Sequence, residues 1–190
     1  MEISSFIVLG LLIVVLVYLI MIYNSLVRLK HNVSKAWSNI DVLMKQRHDE
    51  LPKLVETCKQ YMRYEQETLE RVMHARSAVA AARETSNVGA LGTAETQLRM
   101  GLGQLFAVAE AYPELKASDS FTHLHSRISG LENAIADRRE FYNESVNVNN
   151  IRIEQFPDII VARWLGFNAH ELLEFSEGEK KDVDVKTLFS

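Results

Sequence analysis

The sequence predicts an all-α protein, with one amino-terminal transmembrane helix followed by an antiparallel up-and-down bundle of long helices. Three observations predict it. Residues 3–27 carry no charged side chain. Beyond them apolar residues recur at spacings of three and four, with no sustained alternation of the strand type. Only three prolines and eight glycines interrupt the chain, so helices have few reasons to stop.

The first element is the anchor, residues 1–27, with Phe6, Ile13, Tyr18 and Tyr23 as anchor positions. From Phe6 to Tyr23 a helix reaches about 27 Å, against a hydrocarbon core of roughly 30 Å. A cleaved signal would need Lys or Arg ahead of the run and a small-x-small site behind it. Only Glu2 is charged upstream, and the run leaves through Ile22-Tyr23-Asn24-Ser25. Arg28, Lys30, Lys35, Lys45 and Arg47 follow the span against one acid, Asp41. Basic flanks stay cytoplasmic, so the amino terminus is expected outside and residues 28–190 inside. The same basic residues could rest on anionic inner-leaflet lipid or form a solvated helix face.

Residues 28–167 read as the bundle. The first helix continues through Trp37 to about Gln46. Asp49 and Glu50 precede Pro52 as in a helix start, where proline's missing N–H is not needed. A kink or a tight turn are both open there; a kink would keep residues 24–84 as one rod. From Leu51 a seven-residue rhythm runs through Val55, Cys58, Met62, Leu69, Val72 and Val79, a packing seam that Glu65 and Arg76 interrupt. Residues 84–92 read as a turn. A third helix is expected over 93–112, stopped by Pro113. A fourth should start at Phe121 behind the caps Ser118-Asp119-Ser120 and end at Pro157. A short apolar helix then covers 158–167. Residues 168–190 alternate acids and lysines and read as an acidic, mobile tail.

The net charge of -4 argues against nucleic acid as the partner, since phosphate binding needs a concentrated positive face. One cysteine, Cys58, cannot form an internal disulfide and lies on an apolar stripe, where a packed thiol is expected. His170-Glu171 begins a zinc-protease pattern but lacks the second histidine, so no metal is expected there. His123 and His125 point apart on a helix. Gly101-Leu102-Gly103 follows no strand, and close helix packing explains it better than phosphate binding. No catalytic residue, cofactor or metal site is assigned, and the chain is expected not to be an enzyme.

Glu65, Glu110, Glu132 and Arg139 fall on or beside apolar stripes. Either they snorkel to the surface or they meet as a buried polar network that fixes helix register. Trp164 and Phe167, in the short apolar helix, are candidate interface residues. That helix could lie on the membrane with Trp164 at headgroup level. Packing on the bundle or on a neighbouring subunit is the favoured reading, because its polar face holds only Asp158 and Arg163.

Together these residues resemble the LemA family of bacterial membrane-anchored proteins, from the anchor to about Phe167. The resemblance is carried by Tyr23-Asn24-Ser25-Leu26-Val27, Gln46-Arg47-His48-Asp49-Glu50-Leu51-Pro52-Lys53-Leu54-Val55 and Tyr64-Glu65. It continues in Ala75-Arg76, Glu110-Ala111-Tyr112-Pro113-Glu114-Leu115-Lys116-Ala117, Glu132-Asn133-Ala134-Ile135, Arg139, Tyr142-Asn143 and Phe156-Pro157. Relatives commonly carry a second Tyr-Asn; here Asn149-Asn150 stands in its place. The resemblance implies a single span and an up-and-down bundle, and no enzymatic activity, cofactor or substrate.

The expected function is a non-enzymatic scaffold that forms homo-oligomers on the bacterial inner membrane, with the lipid bilayer as its first partner. Anchoring raises the effective concentration of neighbouring copies, and a head-to-tail contact would give rings or arrays. The alternative is a membrane-tethered adaptor recruiting an unidentified cytoplasmic protein through Trp164 and the tail.

Overall fold

A computed structural model describes residues 2–174. Among the described residues the chain is all-helical: α1 (Glu2–Lys59), α2 (Gln66–Glu84), α3 (Val88–Ala109), α4 (Pro113–Lys116), α5 (Asp119–Glu154) and α6 (Asp158–Leu165). The described residues divide into two compact units, one of residues 2–38 and 140–172, the other of 39–139 and 173–174.

Helix α1 is long and apolar enough over its first part to cross a membrane. Phe6, Ile13, Tyr18 and Tyr23 are exposed along it, as are nearly all their neighbours. Burial begins at Ile22 and Leu26 and then follows Val33, Ala36, Ile40, Met44, Arg47, Leu51, Leu54 and Cys58. That is the three-four spacing of a helix with one packed stripe, and Arg47 stands in it.

Pro52 lies inside α1 without ending it. A proline there removes the N–H that would bond the carbonyl of His48, four residues back. Arg76 of α2 repairs the loss: its Nε donates to the His48 carbonyl at 2.9 Å. The repair holds one helix through Pro52, so of the kink and the tight turn left open there no turn is formed.

The reversal comes later. Tyr61 and Met62 both donate to the Cys58 carbonyl, Met62 is buried, and α2 starts after Glu65. The seam read from Leu51 to Val79 is therefore divided between two antiparallel helices. No glycine, proline or capping side chain marks this turn.

In the second unit four helices pack as an up-and-down bundle. Arg83 pairs with Asp41 at 2.7 Å and Arg76 with His48, so α2 runs antiparallel to α1. Phe106 of α3 meets His125 of α5 edge-on, with ring centres 4.3 Å apart. The expected turn at 84–92 is shorter: Ser86 is left-handed, with φ 52°, and Asn87 caps α3 by accepting from Ala90 N at 2.9 Å. Gly92 thus lies inside α3, where a Cβ would run into the Glu174 carbonyl oxygen.

In the first unit Ile22, Leu26, Ile153, Val161 and Ala162 form one core cluster, with Phe167 packed against it. Gly166 closes α6 in the left-handed conformation (φ 71°), and Phe167 N bonds the Ala162 carbonyl at 2.9 Å. This Schellman cap turns Phe167 back onto Tyr23, ring centres 6.3 Å apart. Residues 168–172, expected to open a mobile tail, are held instead. Asn150 donates to the His170 carbonyl and accepts from His170 N, and Tyr142 donates to the Glu171 carbonyl at 2.9 Å. The expectation for 175–190 lies outside the described residues.

Candidate functional site

Three stripes deliver three charges to one point in the second unit. On α1 Arg47 sits between Met44 and Leu51; on α3 Glu95 sits between Leu91 and Leu98; on α5 Glu132 flanks Leu131. Arg47 Nη2 donates to Glu95 Oε1 at 2.5 Å, and Nη1 donates to Glu132 Oε1 at 2.5 Å. Arg47 is 1% exposed and Glu95 2%, so bulk water does not screen that pair, while Glu132, at 18%, reaches the edge of the site.

Burial alone would lower the pKa of Arg47, but the two carboxylates outweigh it and the guanidinium is held charged. Burial raises the pKa of Glu95, and Glu132 adds to this against the opposing pull of Arg47. One cation serves two carboxylates, and Glu95 is held above the ordinary carboxylate range. Arg47 Nε is buried with no hydrogen-bond partner among the described residues. Helical slip by one turn, about 5.4 Å, would strand a buried charge, so the triad ties the register of three helices together.

The four charges singled out from the sequence take different places. Glu132 joins the triad. Glu65 is half-buried at the start of α2, where it accepts from Tyr112 Oη at 3.4 Å. Glu110 is at the surface beside Lys116, and Arg139 is half-buried on α5. The members sequence reasoning missed are Arg47, assigned there to the basic membrane flank, and Glu95. Arg76, noted as an interruption of a stripe, is the cap on the proline-orphaned carbonyl. His48 Nε2 lies 2.6 Å from Arg76 Nη2; burial first, and Arg76 next, hold its pKa below the ordinary histidine value.

Other expectations resolve simply. Cys58 is buried and its thiol pushed up to about 12 by burial, as a packed thiol. Gly101 faces Val72 of α2 at 3.5 Å, a close helix approach, whereas Gly103 has nothing near it. His125 lies between Phe106 and Phe121. Among the described residues no three His, Cys, Asp or Glu side chains gather to hold a metal.

Two exposed apolar features remain outside the cores. On α5, Phe141, Val148 and Ile151 lie seven and three residues apart on the outer face. Around α6, Phe156 and Trp164 are 82% and 84% exposed, with Ile160 between them. Phe167, paired with Trp164 in the sequence reading, faces the core instead.

Residues 36–187 match the sequence profile of the LemA family. The chain is similar to Protein LemA of Metamycoplasma hominis, 29% identical over 169 residues that make up 87% of this chain and 74% of the relative. It is also similar to magnetosome protein MamQ 2 of Paramagnetospirillum magneticum, 35% identical over 86 residues, or 45% of this chain. Magnetosome protein MamQ of Magnetospirillum gryphiswaldense is 31% identical over 86 residues. The matched stretch spans 31% of the length of each of these two magnetosome proteins.

Proposed function

Because the chain belongs to the LemA family, we propose that it is a membrane-anchored, non-enzymatic scaffold that assembles with copies of itself on the bacterial inner membrane. Its amino terminus lies outside and residues 28–190 lie in the cytoplasm. The relatives' names attach no reaction to the fold: one carries the family's name and two are named as magnetosome proteins. The exposed apolar run of α1 is the anchor, and Arg28, Lys30 and Lys35 mark the inner flank.

The observation that carries self-association is the second apolar stripe of α5. Tyr142, Val146 and Ile153 are buried, yet Phe141, Val148 and Ile151 on the outer face are exposed. Seven-three spacing is what a second helix packs against, and anchoring supplies the local concentration. Full-length protein in mild detergent should give large regular particles by electron microscopy. The pair Phe141→Glu and Val148→Glu should reduce them to small species without lowering the melting temperature. A monomeric wild type would overturn the proposal.

A second reading is an adaptor that recruits a cytoplasmic helix. It is favoured by a groove of about 730 Å³ lined by Val55, Met62, Leu69 and Met73 together with Lys59, Arg63, Gln66 and Glu70. Methionine-lined grooves adapt to apolar helix faces. A monomer that captures a defined partner, and loses it on Met73→Asp with its melting temperature unchanged, would favour this reading.

A further inference from the structure

We infer that α6 is a foot that rests in the membrane interface, with Phe156, Ile160 and Trp164 among the lipid headgroups of the leaflet from which α1 emerges. The inference rests on α1 being the membrane anchor. Its first support is depth. The inner face of α6, Val161 and Ala162, packs on Ile22 and Leu26, the last turns of the uncharged run, just before Arg28. From Phe6, a bilayer of roughly 30 Å ends at this level. A helix fixed to those turns therefore lies at the water–lipid boundary.

The second support is what α6 presents there. Its outer side carries Ile160 and Trp164 one turn apart, preceded by Phe156, all exposed. Arg163 beside them and Arg28 on α1 are exposed cations, suited to phosphate headgroups. Tryptophan gains most where its ring is in apolar surroundings and its N–H is near water. Elsewhere such a face would be an unusual exposed apolar patch.

The third support is rigidity. The buried Asp158 pairs with Arg152 at 2.7 Å, and the Gly166 cap seats Phe167 on the Tyr23 ring. The helix is thus pinned at both ends, and its outer face is presented without further ordering.

The chain has two tryptophans, Trp37 and Trp164, so Trp37→Phe leaves one reporter. The full-length Trp37→Phe protein is reconstituted into phosphatidylcholine–phosphatidylglycerol liposomes, and flotation establishes that the anchor is inserted. Trp164 should emit at shorter wavelength than in the denatured chain and lose more than half its intensity when the lipids are brominated near the headgroup. Added Phe156→Ser and Ile160→Ser should restore much of that intensity. If the protein floats but Trp164 is quenched by aqueous iodide and not by bromolipid, the foot is wrong while the anchor stands. Shielding from both quenchers would assign the face to a protein contact and also overturn the proposal. If the protein does not float, the anchor reading itself fails.

Discussion

Replacing Arg47 by Met tests whether the triad organises the bundle. Methionine keeps most of the apolar stem and removes the charge. Glu95, 2% exposed, then lies buried without its cation, beside Glu132. Breaking a buried pair by removing one partner costs about 3–5 kcal/mol. At about 2–4 °C per kcal/mol for a chain of this size, the melting temperature should fall by about 6–20 °C. The triple variant Arg47→Met, Glu95→Leu, Glu132→Leu removes every charge, and such replacements are neutral or stabilising by about 1–4 kcal/mol. It should melt at or above the wild type. The deficit of the single variant should also depend on pH. The folded-state pKa of Glu95 is already raised and rises further without Arg47. A raised carboxyl contributes stability that is present at low pH and lost as pH climbs through the folded value. The single variant should therefore be weakest at neutral pH and recover on acidification. Thermal melts of full-length protein in detergent, followed by far-UV circular dichroism from acidic to neutral pH, read all three effects. A single variant that melts with the wild type, or a triple variant worse than the single, would refute the reasoning.

Arg76→Ala should cost about 1.5–3 kcal/mol, the range for hydrogen bonds to charged groups. In a Pro52→Ala background, where the backbone can bond His48 itself, the same substitution should cost less; equal losses in a double-mutant cycle would reject the capping role. The folded-state pKa of His48 is depressed by burial and by Arg76, so its contribution is present above the ordinary histidine value of 6.5 and is lost as pH falls through the folded value. His48→Gln, which keeps an acceptor for Arg76, should flatten that part of the stability–pH curve, and an unchanged slope would assign it elsewhere. Gly92→Ala must displace the Glu174 carbonyl at about 1–3 kcal/mol. Hydrogen exchange should rise at residues 168–174 and not in α2, and uniform protection would contradict the contact.

The helix content and the stripes were legible because burial repeats with the helical period. The same rule reaches the triad when carried further than residue 51. Arg47 stands three residues after Met44 and four before Leu51, where the stripe demands an apolar residue, and Glu95 stands four after Leu91 and three before Leu98. A charge inside an otherwise apolar stripe was the available signal. Glu110 showed how that signal misleads, since α3 ends at Ala109 and the stripe no longer faces a neighbour. The turn after Cys58 carried no local mark at all; Met62 is buried on either side of the choice, and only tertiary packing decides. The segment 168–172 looked detached because its partners are side chains on α5, Tyr142 and Asn150, acting on its backbone. Asn150, the asparagine of the altered Tyr-Asn pair, thus keeps a structural task.

The bond from Arg76 to the His48 carbonyl also sets an order of events. As the chain leaves the ribosome, Pro52 emerges before Arg76, and α1 has a missing rung at His48 until α2 arrives. The long helix is therefore completed by sequence made after it. Whatever holds α2 away, whether incomplete synthesis or a competing ligand, leaves α1 open at that rung, so the continuity of the longest element in the protein reports on the docking of the one that follows it.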